Sequence, residues 1–345
     1  MRAVWAKSFG APEVLEIGEL PDPVAGPGQA LIDVAVADTI FLDTLLRRGA
    51  PGPWSLQLPF VPGTGVAGRV SAVGAGVDPS WVGSLVVAKP DARLPNTIGT
   101  GGTVAETAAG MSPTGGYAER ALAPADALVA VPDGLALAEA AALVNDGVTA
   151  GQLTEAADVR PGETVLVTPA GGGAGSLLVQ LLRAAGARVI AGAGSDLKLE
   201  NAGKLGAEVT VNYTNSGWED EVLAATDGRG ADVVVDGVGG TVGRSLFTLT
   251  ARGGRFFPFG APSGGFTTVD PAEAEERQVS VTGLMELPLT SENQLRLTRQ
   301  ILASAAAGQV RPTIGSVLDL ADAARAHAAI EGRSTLGKIV LRVAE

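Results

Sequence analysis

The chain has 345 residues, of which 46% are hydrophobic and 18% charged, a length that favours two domains and a composition that excludes a disordered chain. A formal net charge of -12 disfavours nucleic acid as a partner, and no apolar run is long enough to span a membrane. With no Cys and a single His, the chain excludes disulfides and thiolate-bound zinc. The N-terminus lacks the apolar core of a signal peptide, so we expect a cytoplasmic protein that binds neither nucleic acid nor a membrane.

The first 124 residues are predicted to be rich in β-strands. Short apolar runs predict strands at Ala30–Val36, Val66–Val73 and Leu85–Ala88, with Gly and Pro turns between them. The segment 89–113 that follows is rich in Gly, Thr, Ala and Pro and has no periodicity. Because loops of this length are usually functional, the segment is either a lid that shapes the substrate site or a surface insertion.

From about residue 135 onward, predicted helices and strands alternate. The strands are short and nearly all apolar, as parallel strands buried on both faces should be. They comprise Thr164–Val167, Arg188–Ala191, Glu208–Val211, Asp232–Val235, Gly254–Phe259 and Gln278–Thr282. The helices comprise Leu135–Leu143, Gly175–Ala185, Asp196–Leu205, Trp218–Ala225 and Val242–Leu249. This alternation predicts an α/β fold with a doubly wound parallel sheet. Helices in Ser291–Gly308 and after Ala321, and then a closing strand at Lys338–Val343, are expected at the end.

A glycine-rich loop lies between the first of these strands and its helix. Gly171, Gly172, Gly173 and Ala174 belong to the sequence Pro-Ala-Gly-Gly-Gly-Ala-Gly at residues 169–175. Glycine lets the backbone approach a pyrophosphate, and the helix N-terminus offers free N–H groups. In isolation such a loop is equally typical of an ordinary turn, but the strand before it and the helix after it favour a dinucleotide site.

The end of the next strand discriminates between the two nicotinamide dinucleotides. An NAD enzyme places an acidic residue there to bind the ribose 2′-hydroxyl, whereas residues 190–195 read Ile-Ala-Gly-Ala-Gly-Ser. Ser195, Lys198 and Tyr213 are candidates to hold a 2′-phosphate through hydroxyl and ammonium donors. A solvated Lys198 and a partly buried Tyr213 ring are the structural alternatives. The missing acid favours NADPH.

Two more loops follow strands of the same predicted sheet, at the edge where ligands bind in open α/β sheets. Gly237 and Val238 follow one strand, and Gly260 and Ser263 follow another. We assign these four residues to the cofactor site, with plain turn chemistry as the alternative.

Taken together, the motifs and their order make the chain resemble the medium-chain dehydrogenase/reductase superfamily over nearly its whole length, and within it the quinone oxidoreductases. The segments that carry the resemblance are Pro59–Gly63, Gly74–Val77, Gly115–Glu119, Val131–Gly134, Asp146–Ala150, Pro161–Val167, Leu205–Ala207, Asp236–Gly240 and Gly337–Leu341. The resemblance implies a GroES-like, β-rich catalytic domain from residues 1–124 and 284–345 around a Rossmann NADPH-binding domain at residues 125–283. It also implies a homodimer, the commonest symmetric oligomer.

Zinc-dependent members of the superfamily bind their catalytic metal through Cys, His and an acidic residue. The residues at the positions that match these three ligands are Ile40, Thr64 and Gly65, which do not form a zinc ligand set. The resemblance therefore implies a zinc-independent enzyme. Quinone oxidoreductases often carry Asn at the first of these positions and Glu at the third, so the chain departs from them where substrate specificity is decided.

The resemblance implies that the chain uses NADPH to reduce a quinone or an α,β-unsaturated carbonyl, with the nicotinamide carrying the chemistry. Asn145, Asp146 and Thr149 match positions near the nicotinamide, and Asp43 matches a position near the cleft. We expect Asp43, Asn145 and Asp146 in catalysis, and Thr149 in cofactor binding. Alternatively, Asn145 and Asp146 form only a turn before Gly147.

Other readings of the candidate residues stay open. Asp43 is equally suited to cap a helix that begins at Thr44. Lys338 either contacts the cofactor phosphate or lies on the surface, and His327, in an Ala-rich helix, is expected to be structural. Two other functions remain as alternatives: a biosynthetic reductase of an enoyl or enone C=C bond, and a NADPH-binding module without turnover.

Overall fold

A computed structural model describes residues 1–50, 58–90 and 115–344. By their internal contacts these residues form two compact units. The first unit draws on residues 1–145, 291–309 and 314–345, and the second on residues 146–290 and 310–313. The domain boundaries at 124/125 and 283/284 stay predictions. All of segment 89–113 beyond Pro90 lies outside the described residues.

The described ranges contain fifteen strands and ten α-helices. The strands are β1 (Arg2–Ala6), β2 (Leu15–Glu19), β3 (Gln29–Asp38), β4 (Val66–Val73), β5 (Leu85–Ala88), β6 (Arg120–Pro124), β7 (Val129–Ala130), β8 (Thr164–Thr168), β9 (Arg188–Ala193), β10 (Val209–Asn212), β11 (Ala231–Asp236), β12 (Thr250–Pro258), β13 (Ser280–Val281), β14 (Ile314–Asp319) and β15 (Lys338–Arg342). The helices are α1 (Phe41–Arg48), α2 (Leu137–Leu143), α3 (Asp146–Ala157), α4 (Gly173–Ala184), α5 (Asp196–Leu205), α6 (Trp218–Ala225), α7 (Gly240–Thr248), α8 (Pro271–Arg277), α9 (Ser291–Ala306) and α10 (Ala323–Glu331).

The first unit is built on a mixed sheet in the order β14-β15-β3-β4-β5-β7, with β6 also paired to β3. The long strand β3 pairs antiparallel with β4, so that Ile32 faces Val70, and with β15, so that Asp38 faces Val340. Alternate residues of β3, including Ile32 and Val34, are buried in the core. This alternation is expected of a sheet that faces the core on one side. The sheet therefore brings Asp38, at the end of β3, beside the last strand of the chain.

The second unit is a six-stranded parallel sheet in the order β10-β9-β8-β11-β12-β13. All five residues of β8 are buried, because helices cover both faces of such a sheet. The strand order reverses between β8 and β11, and the carboxyl ends of these strands, Thr168 and Asp236, are register partners. Ligands of doubly wound sheets bind at such a reversal.

Most predicted elements form, and the differences have local causes. Helix α4 begins at Gly173 rather than Gly175, because Gly172 takes the N-cap position. Strand β13 is shorter than Gln278–Thr282. The sequence pattern does not predict β14, because its mostly exposed residues are those of an edge strand with little apolar alternation. None of the helices in the described ranges has the length and apolar composition that a bilayer span requires.

Candidate functional site

The glycine loop of the second unit forms an open turn at the N-terminus of α4. Gly172 is the N-cap in extended conformation, and no side chain caps this end of the helix in the described structure. The first-turn N–H groups therefore have no partner inside the helix. A Cβ on Gly175 would lie 2.0 Å from the carbonyl oxygen of Pro169, so this position accepts glycine alone. The loop combines close strand-to-helix packing with free backbone donors, which is the arrangement that binds phosphate groups.

The residues predicted to hold a 2′-phosphate surround the end of β9. The Lys198 side chain crosses the loop so closely that a Cβ on Gly171 would lie 2.6 Å from the Lys198 Cβ. Tyr213 donates its backbone N–H to the carbonyl of Ala193 at 3.2 Å, and Ser195 is the N-cap residue of α5. The structure therefore brings Ser195, Lys198 and Tyr213 together beside the glycine loop, and no carboxylate ends β9.

The loop after β11 is held by a buried carboxylate. Asp236 accepts the backbone N–H groups of Val238 at 2.8 Å and Gly239 at 3.0 Å, and its other oxygen accepts the Thr267 hydroxyl. Burial raises the pKa of Asp236, although these hydrogen bonds oppose the shift. Ser263 donates its backbone N–H to the Val238 carbonyl at 3.1 Å.

The remaining predicted cofactor residues of the second unit lie close to this loop or on α3. A Cβ on Gly260 would lie 2.5 Å from the Gly237 carbonyl oxygen, so these two glycines are in close backbone contact. Gly237 also donates its backbone N–H to Thr168 at 2.6 Å. The predicted pairs from the β11 and β12 loops thus form one backbone-bonded surface at the strand ends. Thr149 is half-buried in the first turn of α3.

The first unit contains a polar cluster around a buried ion pair. The Lys338 ammonium lies 2.7 Å from Oδ1 of Asp38 and donates to the Thr39 carbonyl at 2.9 Å. Both charged side chains are at most 5% exposed. The Asn145 amide nitrogen donates to Oδ2 of Asp38 at 2.9 Å and to the Thr64 hydroxyl at 3.2 Å. Since buried charges need such partners, the pair and the amide are mutually stabilising.

Lys338 was predicted to contact a cofactor phosphate, but the structure directs its ammonium to Asp38. The contact of Lys338 with a cofactor phosphate stays a prediction. Lys89, half-buried at the end of β5, is a second cation near the cluster: burial lowers its pKa to about 8, and the charge of Asp38 opposes the shift. The sequence pattern does not single out Asp38 or Lys89 as functional residues. The only signal was a carboxylate at the end of a long buried strand.

Asp43 belongs to a second buried group in the same unit. Helix α1 begins at Phe41, so the expected start at Thr44 is wrong, and Asp43 is not the N-cap residue, although its carboxylate does cap the N-terminus of the helix. Asp43 instead accepts the backbone N–H of Ile40 at 2.9 Å from within the first turn, and Tyr117 donates to it over a long 3.4 Å. Burial is the main reason that the pKa of Asp43 rises to about 7.

Tyr117 joins Asp43 to the single histidine. Its hydroxyl lies 3.0 Å from Nε2 of His327, and the two rings meet edge to face. Burial, followed by the charge of Arg47, lowers the pKa of His327 to about 3, so the ring is neutral at physiological pH. Arg47 is also buried, and its guanidinium binds Glu331. The expected structural role of His327 agrees with this fully buried position in α10.

The positions that match a catalytic zinc site offer no ligand set. Ile40 is aliphatic, the Thr64 hydroxyl already accepts from Asn145, and Gly65 has no side chain. Across residues 1–50, 58–90 and 115–344, no group of three or more His, Asp or Glu side chains is arranged to hold a metal ion. The residues present do not fit zinc.

Comparison with known proteins decides the family. Residues 26–133 match the alcohol dehydrogenase GroES-like domain, and residues 205–341 match the zinc-binding dehydrogenase family. The 2-haloacrylate reductase of Burkholderia sp is 31% identical, with 99% of this chain and 98% of that protein covered. The quinone oxidoreductase of Sus scrofa is 30% identical, with 99% and 97% covered. The chain belongs to the medium-chain dehydrogenase/reductase superfamily.

Solved structures of this superfamily have the same fold. A structure described as an NAD-dependent alcohol dehydrogenase is 38% identical, with a TM-score of 0.86 and all of both chains covered. The Escherichia coli quinone oxidoreductase complexed with NADPH is 26% identical, with a TM-score of 0.86, and 99% of this chain and 100% of that one are covered. The predicted fold of a GroES-like domain and a Rossmann sheet is confirmed. This medium-chain dehydrogenase/reductase is a quinone oxidoreductase-like oxidoreductase.

Proposed function

We propose that this protein is a NADPH-dependent oxidoreductase that transfers hydride to a quinone or an α,β-unsaturated carbonyl without a metal ion. The observation that carries the proposal is the glycine loop at the sheet reversal, with Ser195, Lys198 and Tyr213 beside it. A carboxylate at the end of β9 would repel a 2′-phosphate, whereas hydroxyl groups and an ammonium attract it.

NADPH is the cofactor, and the second unit supplies the groups that fit it. Gly173 and Ala174 present backbone N–H groups to the pyrophosphate, and Gly172, whose N–H donates to the Pro169 carbonyl over a long 3.5 Å, lets the backbone approach it. Lys198 places a positive charge beside the loop. Gly237, Val238, Gly260 and Ser263 shape the surface at the ends of β11 and β12, and Thr149 is the proposed contact from α3.

The chemistry that bound NADPH supplies is a hydride, so the chain's own residues orient the reactants, exclude water and stabilise charge on the acceptor oxygen. Of the three catalytic candidates, Asn145 donates a hydrogen bond to Asp38 in the polar cluster around the buried ion pair. Asp43 is fully buried and accepts hydrogen bonds from the Ile40 backbone N–H and the Tyr117 hydroxyl. Asp146 is the first residue of α3. Metal independence rests on the residues at positions 40, 64 and 65, which do not fit zinc.

The names of two relatives support the proposed acceptor class. One is named for the reduction of 2-haloacrylate, which is an activated alkene, and others are quinone oxidoreductases. Both kinds of substrate conjugate a C=C bond with a carbonyl or carboxyl group, so hydride addition places negative charge on an oxygen. Reduction of an enone C=C bond remains the alternative activity. The predicted homodimer and cytoplasmic location stay predictions.

The test combines calorimetry with an acceptor screen on the full chain. NADPH should bind with a Kd at least about 10-fold lower than that of NADH, about 1.4 kcal/mol. Tighter binding of NADH would overturn the cofactor assignment. NADH is the relevant competitor because one similar structure is described as an NAD-dependent alcohol dehydrogenase.

The acceptor screen then separates an enzyme from a binding module. We expect oxidation of NADPH, followed at its absorbance band, with 1,4-benzoquinone, 1,2-naphthoquinone or a simple enone. Product analysis distinguishes a hydroquinone from a saturated ketone. Tight NADPH binding without oxidation by any of these acceptors would favour the module without turnover.

A further inference from the structure

The Asn145 side chain has both of its amide N–H groups engaged inside the first unit. One points to the Asp38 carboxylate at 2.9 Å and the other to the Thr64 hydroxyl at 3.2 Å. A carboxylate accepts only from the nitrogen of the amide, so the charge of Asp38 fixes which way the amide faces. Asn145 therefore has no N–H left to give to a substrate.

Thr64, unlike Asn145, still has a proton that it can donate in a hydrogen bond. Its oxygen accepts from Asn145, and a hydroxyl has one proton to donate. Thr64 is half-buried, and in the described part of the chain its hydroxyl donates to no acceptor. An amide that occupies one lone pair of the oxygen also limits how the hydroxyl rotates. The cluster thus ends in a single oriented O–H group.

The geometry behind Thr64 is rigid. Asp38 is fully buried, held by Lys338 on one side and by Asn145 on the other. Its backbone N–H donates to the Gly65 carbonyl at 2.9 Å, which ties β3 to the residue after Thr64. A Cβ on Gly65 would lie 2.8 Å from the Asn145 amide nitrogen, so the absence of a side chain there lets the amide pack against the backbone.

We propose that the Thr64 hydroxyl is the hydrogen-bond donor to the carbonyl oxygen of the substrate, and that Asn145, Asp38 and Lys338 are its positioning residues. The inference rests on the proposed function and deepens it. The substrate class is one whose reducible carbon is conjugated to a carbonyl oxygen that accepts one hydrogen bond. Asn145 accordingly acts through Thr64 and not on the substrate.

For an enone, hydride addition precedes protonation. The hydride and its electron pair form a new C–H bond at the β-carbon, the C=C π pair shifts to the bond beside the carbonyl, and the carbonyl π pair moves to the oxygen. Thr64 donates a hydrogen bond to this enolate oxygen and keeps its proton. Water then protonates the α-carbon and becomes hydroxide, and the carbonyl re-forms. The two electrons that the substrate gains would come with the hydride that bound NADPH supplies. Preorganised donors at such an oxygen are a large part of many rate enhancements.

The test is steady-state and binding measurement on Thr64→Val and Thr64→Ser in the full chain, with NADPH and the best acceptor of the screen. Thr64→Val keeps the shape and removes the donor, so kcat should fall about 100-fold, the typical cost of losing one oxyanion donor. The Kd for NADPH and the thermal midpoint should stay near wild type. Thr64→Ser keeps the hydroxyl and should restore kcat to within about 3-fold of wild type. Thr298→Val, which removes a buried hydroxyl that bonds within α9 of the same unit, is the matched control and should leave kcat unchanged.

The positioning role of Asn145 has its own readout. Asn145→Ala should lower kcat, and the double variant with Thr64→Val should be no slower than Thr64→Val alone, because the amide acts through the hydroxyl. Additive losses would show that Asn145 contributes separately and would overturn the positioning role.

Three outcomes distinguish the proposals. Wild-type turnover with an equally active Thr64→Val variant would overturn the inference and leave the proposed function intact. Wild-type turnover with Thr64→Ser as slow as Thr64→Val would also overturn it, since packing and not donation would then be lost. A wild-type protein that binds NADPH and reduces no acceptor would overturn the proposed function itself.

Discussion

The two units of the protein handle charge by different means. In the second unit, backbone N–H groups at the start of α4 and around the β11 loop form the proposed anion site, and glycines let the chain pass close by. In the first unit, charged and polar side chains are buried together: Asp38 with Lys338, and Asp43 with Tyr117. A backbone site tolerates changes of surface side chains but not an added Cβ, whereas a side-chain site depends on each partner.

The largest expected effect comes from breaking the buried ion pair. Lys338→Met leaves the Asp38 carboxylate buried without its cation, and this should lower the free energy of unfolding by about 3–5 kcal/mol. Chemical denaturation followed by circular dichroism measures the loss. The control is Lys204→Met in the second unit, which removes an exposed pair with Glu200 and should change nothing measurable. Equal losses in the two variants would contradict the burial argument.

The next effect concerns the glycine loop. In Gly175→Ala the new Cβ would lie 2.0 Å from the Pro169 oxygen, so α4 must shift away from the loop. We expect NADPH affinity to fall on the order of 100-fold, ~2.7 kcal/mol, in calorimetry. Gly203→Ala, in α5 of the same unit, meets nothing within 4 Å and should bind NADPH as wild type does. An unchanged Kd for NADPH in Gly175→Ala would show that the cofactor does not bind at this loop.

Asp43 should make the first unit less stable as the pH rises. Its pKa goes from 3.8 to about 7 in the folded protein, so the fold keeps the proton longer than the unfolded chain. The resulting stability is complete below pH 4 and is lost as the pH rises to about 7. Asp43→Asn has no such titration, so its free energy of unfolding should rise relative to that of wild type by on the order of 2 kcal/mol between pH 4 and 5.5. Denaturation at a series of pH values checks this, and a constant difference between the proteins would refute it.

His327 should act in the opposite direction and more weakly. The folded protein keeps the ring neutral down to about pH 3, whereas the unfolded chain binds a proton below its ordinary pKa of 6.5. Stability present above pH 6.5 is therefore lost as the pH falls toward 3. Between pH 7 and 5.5 the free energy of unfolding should fall less in His327→Gln than in wild type, by on the order of 1 kcal/mol. The same denaturation series measures it, and an unchanged acid slope would show that other groups cause the acid lability.

The sequence predicted the second unit better than the first. Apolar runs such as Thr164–Val167 and helices such as Asp196–Leu205 reveal parallel strands and their helices, because each pattern is local. The proposed 2′-phosphate residues were also found locally, since they follow strands in chain order. The polar cluster was not found, because its members come from residues 38, 64, 145 and 338, and nothing local relates them.

By itself the sequence determined the superfamily, the alternating second unit and the glycine loop, because these depend on periodicity and on residues close together in the chain. Only the tertiary structure decided that Lys338 pairs with Asp38, that Asn145 faces inward, and that Asp43 is buried beneath Tyr117. The physical reason is that burial and pairing of charged groups arise from contacts between distant segments. Their energies depend on how those segments pack, and residue type alone does not report it.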